Sequence, residues 1–137
     1  MKHKVCCRLC AIVIAVSAVM GIYVRSVQAP LRAQTYTISP WETLYVFAAR
    51  PAFWSCSGIL VALALLRLRV GPRPRKVLLW CGTALIAAYC AAAALHFMEA
   101  PGRAALPQSL LPWLSGHPAV FLLPGMLIGS GIDERAP

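Results

Sequence analysis

The chain has 137 residues, 60% of them hydrophobic and 12% charged, where a soluble domain carries about a quarter charged residues. A soluble fold of this length buries only about two thirds of its surface, so the composition excludes a water-exposed globule and calls for lipid contact. The net charge of +9, from thirteen Lys and Arg against four acids, falls between apolar runs, which points to lipid head groups and not to nucleic acid.

The first apolar run, Leu9 to Val24, lies uncharged between Arg8 and Arg25. As a helix it reaches ~24 Å, less than a hydrocarbon core of ~30 Å, and the flanking arginines can snorkel to close the gap. The first span is therefore placed at approximately 9–27. Lys2, Lys4 and Arg8 also fit the basic start of a signal peptide with Ala29 at the cut. Pro30 after that cut and Arg25 within the region favour an uncleaved helix instead.

Ser39, Pro40 and Glu42 then read as a helix start: an N-cap, a first-turn proline, and an acid near the positive end of the dipole. Trp41, Leu44, Tyr45 and Phe47 make an aromatic stripe behind it. The expectation is a short interfacial helix over approximately 39–50, anchored by Trp41, Tyr45 and Phe47 in the head-group layer, before Arg50 and Pro51 turn the chain inward. A lid or docking surface is the functional alternative for this helix. The second span follows at approximately 51–68 and the alanine-rich third at approximately 77–98, between Lys76 and Glu99.

No charged residue occurs between Arg103 and Asp133, yet Pro107, Pro112, Pro118 and Pro124 interrupt this stretch. Proline removes a backbone donor and clashes with the preceding turn, so one straight helix is not expected. The reading is a short interfacial piece at Pro107 to Leu114, then a fourth span at approximately 116–132 that starts near Pro118 and kinks at Pro124. Broken helices at membrane depth need protein packed around them.

Orientation follows the basic residues. With the N-terminus inside, Lys2, Lys4, Arg8, Arg67, Arg69, Arg73, Arg75, Lys76 and Arg135 are cytosolic, and Arg25, Arg32, Arg50 and Arg103 lie outside. The five charges from Arg67 to Lys76 decide it.

The six cysteines imply no disulfide framework, because none falls in an expected outer loop. Cys6, Cys7 and Cys10 form a C-C-x-x-C cluster beside the first span. They are small apolar residues at the interface, with acylation or a shared metal (His3 as fourth ligand) as alternatives. Cys56, Cys81 and Cys90 sit within spans. His96 and His117 come toward the same outer surface, the prerequisite for haem or metal ligation, though span-end histidines more often bond to backbone or water. Glu42, Glu99, Asp133 and Glu134 all fall outside the expected hydrocarbon core, which disfavours proton-coupled export and leaves no acid–base pair for a hydrolase. Small residues at four-residue steps mark helix contacts: Gly125 and Gly129, Ala84 with Ala88 and Ala92, and Ser17 with Gly21.

The expected architecture is all-α: an integral membrane four-helix bundle, one transmembrane domain over 1–137 of the plasma (inner) membrane, both ends cytosolic. The expected role is a non-enzymatic accessory or assembly subunit of a membrane complex, without a cofactor. Its partners are the lipid bilayer and another membrane protein or a second copy. An oligomeric small-solute transporter or pore is the first alternative, and a haem- or metal-binding redox protein the second.

Overall fold

The computed structural model describes residues 2–66, 72–98 and 110–132, with side chains at 4–64, 74–95 and 113–132, and every element among them is helical. Glu99, Asp133, Glu134, Arg67, Arg69, Arg103, Arg135 and Pro107 lie outside the described residues, and the side chains of His3, Arg73 and His96 lie outside the described side chains.

Helix α1, Lys2–Tyr23, runs through a π turn at Val24–Gln28 into α2, Ala29–Thr35. The segment Lys4–Thr35 is thus a single apolar rod of 32 residues, which continues past Arg25. It stops at Tyr36, in the left-handed region at φ 55°, whose N–H donates to the Arg32 carbonyl at 2.8 Å. The next rod begins at Ser39, whose Oγ accepts from the Trp41 N–H at 3.3 Å and caps α3, Pro40–Leu44. A π turn at Tyr45–Ala49, then α4 at Arg50–Val61 and a second π turn at Ala62–Leu66, follow without a break. The stretch expected to lie apart in the interface over 39–50 and the apolar run behind Pro51 are therefore one continuous helix.

Proline explains both the continuity and the distortion. The π turns at Val24–Gln28 and Tyr45–Ala49 each end two residues before a proline, Pro30 and Pro51. A helical proline has no N–H for the carbonyl four residues back, and its ring crowds that carbonyl. Widening the preceding turn by one residue admits the ring without breaking the rod.

Helix α5, Pro72–Met98, is the longest regular helix of the described chain, at 27 residues. Helix α6, Leu110–Gly116, ends at His117 (φ −118°, ψ 60°), and a tight 3-10 turn at Pro118–Phe121 leads into α7, Leu122–Ile132. Pro124 is accommodated because it lies in the first turn of α7, where amides have no helical partner.

These helices pack in a row, α1 on α4, α4 on α7 and α7 on α5. Neighbouring contacts fix their directions. Gly21 meets Tyr45 while Cys10 meets Cys56, so α1 and α4 are antiparallel. Gly125 lies on Ser55 and Gly129 on Ile59 and Ala62, so α4 and α7 run parallel; Gly82 meets Pro124 and Ile128 while Gly131 meets Leu79, so α5 opposes α7. The described chain therefore passes up, down, up and down. Three of its helices are long and apolar enough to cross a membrane, and Pro118–Ile132 is a shorter apolar one.

A methyl group on Gly125 would strike the Ser55 backbone, which cannot swing aside as a side chain can. Gly125→Ala is expected to destabilise the fold by about 1–3 kcal/mol through overpacking. Gly116→Ala, with open space around it, is the control and should leave the midpoint unchanged. Thermal denaturation in detergent reads both.

Candidate functional site

The row leaves α5 attached along one edge, and the main cavity of the described chain opens there. About 870 Å³ lies between α1, the α3–α4 rod and α5. Val13, Phe47, Ile59, Ile86, Ala93 and Phe121 supply its apolar wall, and among the described residues no Asp, Glu, Lys, Arg or His lines it. Its polar groups are Thr43, Ser55, Cys56, Cys90 and the Tyr89 hydroxyl.

Tyr89 closes one end. Pro51 cannot donate to the carbonyl of Phe47, four residues before it, and the Tyr89 hydroxyl donates to that carbonyl at 2.9 Å. The Tyr89 ring also sits edge-on to Phe121 with centroids 4.6 Å apart. One side chain thus ties α5 to the widened turn before α4 and to the turn before α7. The bond fastens α5 to the rod and leaves a polar mark in the cleft.

The N-terminal cysteines do not stay a local cluster. The Cys10 thiol lies near those of both Cys6 and Cys56. Cys10 is buried, and Cys56 from α4 reaches the cleft wall. Cys56 was not legible as a partner because the pairing depends on how α1 slides against α4. Among the described residues no group of three or more His, Cys, Asp or Glu is placed to hold a metal ion.

His117 turns back on its own helix. Its Nδ1 is 3.0 Å from the Trp113 carbonyl, and its ring stacks on Trp113 at 4.9 Å. His96 lies in the last turn of α5, and its side chain is outside the described ones. The aromatic stripe divides three ways: Trp41 is exposed, Tyr45 packs its ring on Gly21 of α1, and Phe47 faces the cleft. Gly125 and Gly129 face α4, and Ser17 and Gly21 are buried toward the α3–α4 rod. On α5, Ala84 and Ala88 are exposed and Ala92 is half-buried, while the close approach to α7 is made by Gly82.

Two arginines have roles that sequence reading missed. Arg50 donates to the Ser115 carbonyl at 3.2 Å in the last turn of α6, and Arg75 to the Gly131 carbonyl at 3.2 Å in the last turn of α7. Each places a cation at the negative end of a helix and bonds one of its orphan carbonyls. Glu42 pairs with Arg32 at 2.7 Å across the turn between the first two rods, and its second carboxylate oxygen is buried without a hydrogen bond.

Comparison with protein-family models, with curated proteins and with solved structures finds no match.

Tyr89→Phe keeps the ring contact and removes the hydroxyl. It is expected to cost about 1 kcal/mol, the usual net worth of such a bond. Tyr89→Ala, losing the Phe121 contact as well, should lower the thermal midpoint further.

Proposed function

We propose that the chain is a four-span protein of the plasma membrane, both ends cytosolic, acting as a non-enzymatic accessory or assembly subunit of a larger membrane complex. The observation that carries this reading is the main cleft: about 870 Å³, walled by apolar side chains and, among the described residues, without a charged one in its lining. Such a space suits an apolar segment of another membrane protein, and its described lining holds neither an acid–base pair nor a carboxylate.

The four crossings are supported by the alternating helix directions and by the place of α7. Pro118–Ile132 reaches only ~22 Å, short for a span, but it is packed between α4 and α5, where its irregular backbone faces protein. Lys4, Arg8, Arg75 and Lys76 gather at one end of the row and Arg25 and Arg32 at the other, and the basic excess from Arg67 to Lys76 favours the first end as the inner one. Exposed apolar side chains also fit the bilayer: Leu9, Ile12, Val16 and Val19 stand outward on α1, and only 6% of the most apolar window of α5 is buried.

Topology is checked by labelling in a variant cleared of native cysteines. Thr37→Cys is expected to react with an impermeant maleimide on intact cells, and Lys76→Cys only after lysis. The reverse pattern overturns the orientation.

Native mass spectrometry of tagged protein from its own host membrane tests the subunit role. A second membrane protein at fixed stoichiometry is expected, and Ala93→Trp, which fills the cleft, should release it without unfolding the chain. A bare monomer or a homo-oligomer counts against the role and turns attention to the pore reading.

A further inference from the structure

A second cavity, of about 320 Å³, lies between α1 and the α3–α4 rod and shares no lining residue with the main cleft. Unlike the cleft, it carries charge: Arg25 from the π turn after α1 and Arg50 from the start of α4. Sequence reading sets both at the outer flanks of spans. The packing moves one of them. Gly21 meets Tyr45 and Cys10 lies near Cys56, and this antiparallel register puts Arg50 level with about residue 16 of α1. At ~1.5 Å per residue, Arg8 stands ~12 Å from that level and Arg25 ~14 Å from it on the other side. Arg50 therefore lies near the middle of the uncharged stretch of α1, at the level of Ser17 and not at that of the head groups.

Arg50 is held at that depth. Its Nη1 donates to the Ser115 carbonyl at 3.2 Å, which uses one of the five N–H groups of a guanidinium. Among the described residues no acid lines the cavity, and Glu42 is engaged by Arg32. A cation inside the hydrocarbon layer without a counter-charge is costly, and an ionisable residue kept there marks a site.

The rest of the lining says what the cavity can hold. Its other polar side chains are Ser17, Tyr45 and Trp54, each a hydrogen-bond donor and none an acceptor alone. They follow one another inward. Arg25 is exposed at the outer end, the Tyr45 hydroxyl comes in at Gly21, and Ser17, 5% exposed, lies one turn deeper. Inward of Trp54 the two helices close at Cys10, which is buried. Metal cations need acceptor oxygens, so this lining suits an anion instead. A lipid phosphate stays at the head-group level, ~14 Å short of Arg50. A doubly charged phosphate exceeds the single guanidinium at that depth. A monovalent ion balances it, and the low local dielectric strengthens the pairing.

We infer that this cavity is a site for a small monovalent inorganic anion of the halide class, held by the Arg50 guanidinium at the level of Ser17 and reached from the outer end past Arg25. The inference rests on the membrane reading above, which gives the level of Arg50 its meaning.

The test is equilibrium dialysis of whole protein in mild detergent against radioactive chloride, with ionic strength held constant by sodium gluconate. Wild type is expected to bind one chloride per chain, displaced by bromide and not by inorganic phosphate or phosphatidylglycerol at the same concentration. Arg50→Gln is expected to weaken binding at least tenfold, and Arg50→Lys to keep more of it. No saturable chloride on wild type, or equal binding by Arg50→Gln, overturns the site. Displacement by phosphate or by phosphatidylglycerol overturns the assignment to a monovalent ion. Should Arg50→Gln fail to fold, because it also loses the Ser115 bond, fluorescence decides on wild type. Iodide is expected to quench Trp54 more than caesium does, with Trp54→Phe as the reference that identifies its emission, and equal quenching by the two ions refutes the site. Carbonate extraction of host membranes tests the membrane reading separately, since release of the chain defeats that reading whatever the ions show.

Discussion

At Gly125 the backbone of α7 lies against the backbone of α4 at Ser55, with no side chain between them, and Gly58 returns the contact against Leu122 from the other helix. On its opposite side α7 does the same with α5, through Gly82 and Gly131. Backbones this close gain dispersion contact along their whole length, and that gain does not depend on expelling water. Every other feature of the arrangement follows. Helices α4 and α5 are each held to α7, so they diverge from one another, and α1, held to α4, leaves the far side of α5 uncovered.

Divergence creates the main cleft, and proline sets its shape. Pro51 frees the Phe47 carbonyl from its usual donor, and the Tyr89 hydroxyl reaches across to it at 2.9 Å. The same residue that distorts one rod thus supplies the handle by which another is fastened. The arginines work in a comparable way at the two ends. Arg50 and Arg75 clamp the Leu110–Ile132 segment by a carbonyl near each extremity, so a stretch without a charge of its own is positioned by charges from elsewhere.

What was legible in the sequence was what is decided locally. Ser39, Pro40 and Glu42 announce a helix start because capping involves residues two to four apart, and the helix does start there. The break around His117 and Pro118 is legible for the same reason, since proline chemistry acts within one turn. Arg50 was read as the flank of an apolar run and Arg75 as a charge of the Arg67–Lys76 loop, because the carbonyls they bond are 65 and 56 residues away and only the packed helices bring them near. The thiol of Cys56 joined those of Cys6 and Cys10 through the register of α1 on α4, which no pattern in one helix encodes. The aromatic stripe illustrates the limit best. Trp41, Tyr45 and Phe47 looked like one anchoring face, yet they turn toward solvent or lipid, α1 and the cleft in turn, because residues two apart on a helix point roughly 200° apart.

The central helix is also the last of the four to be made. During synthesis α1, α4 and α5 emerge before the segment that α4 and α5 both pack against, and their glycine faces have no partner until Leu122–Ile132 follows. The decisive contacts are therefore long-range in sequence, as between Ser55 and Gly125, and contacts of that kind form late because the intervening chain must first be closed into a loop. Until then the nascent chain has a vacant groove between two helices, the size and chemistry of one apolar helix. Leu122–Ile132 must reach that groove before any foreign helix does.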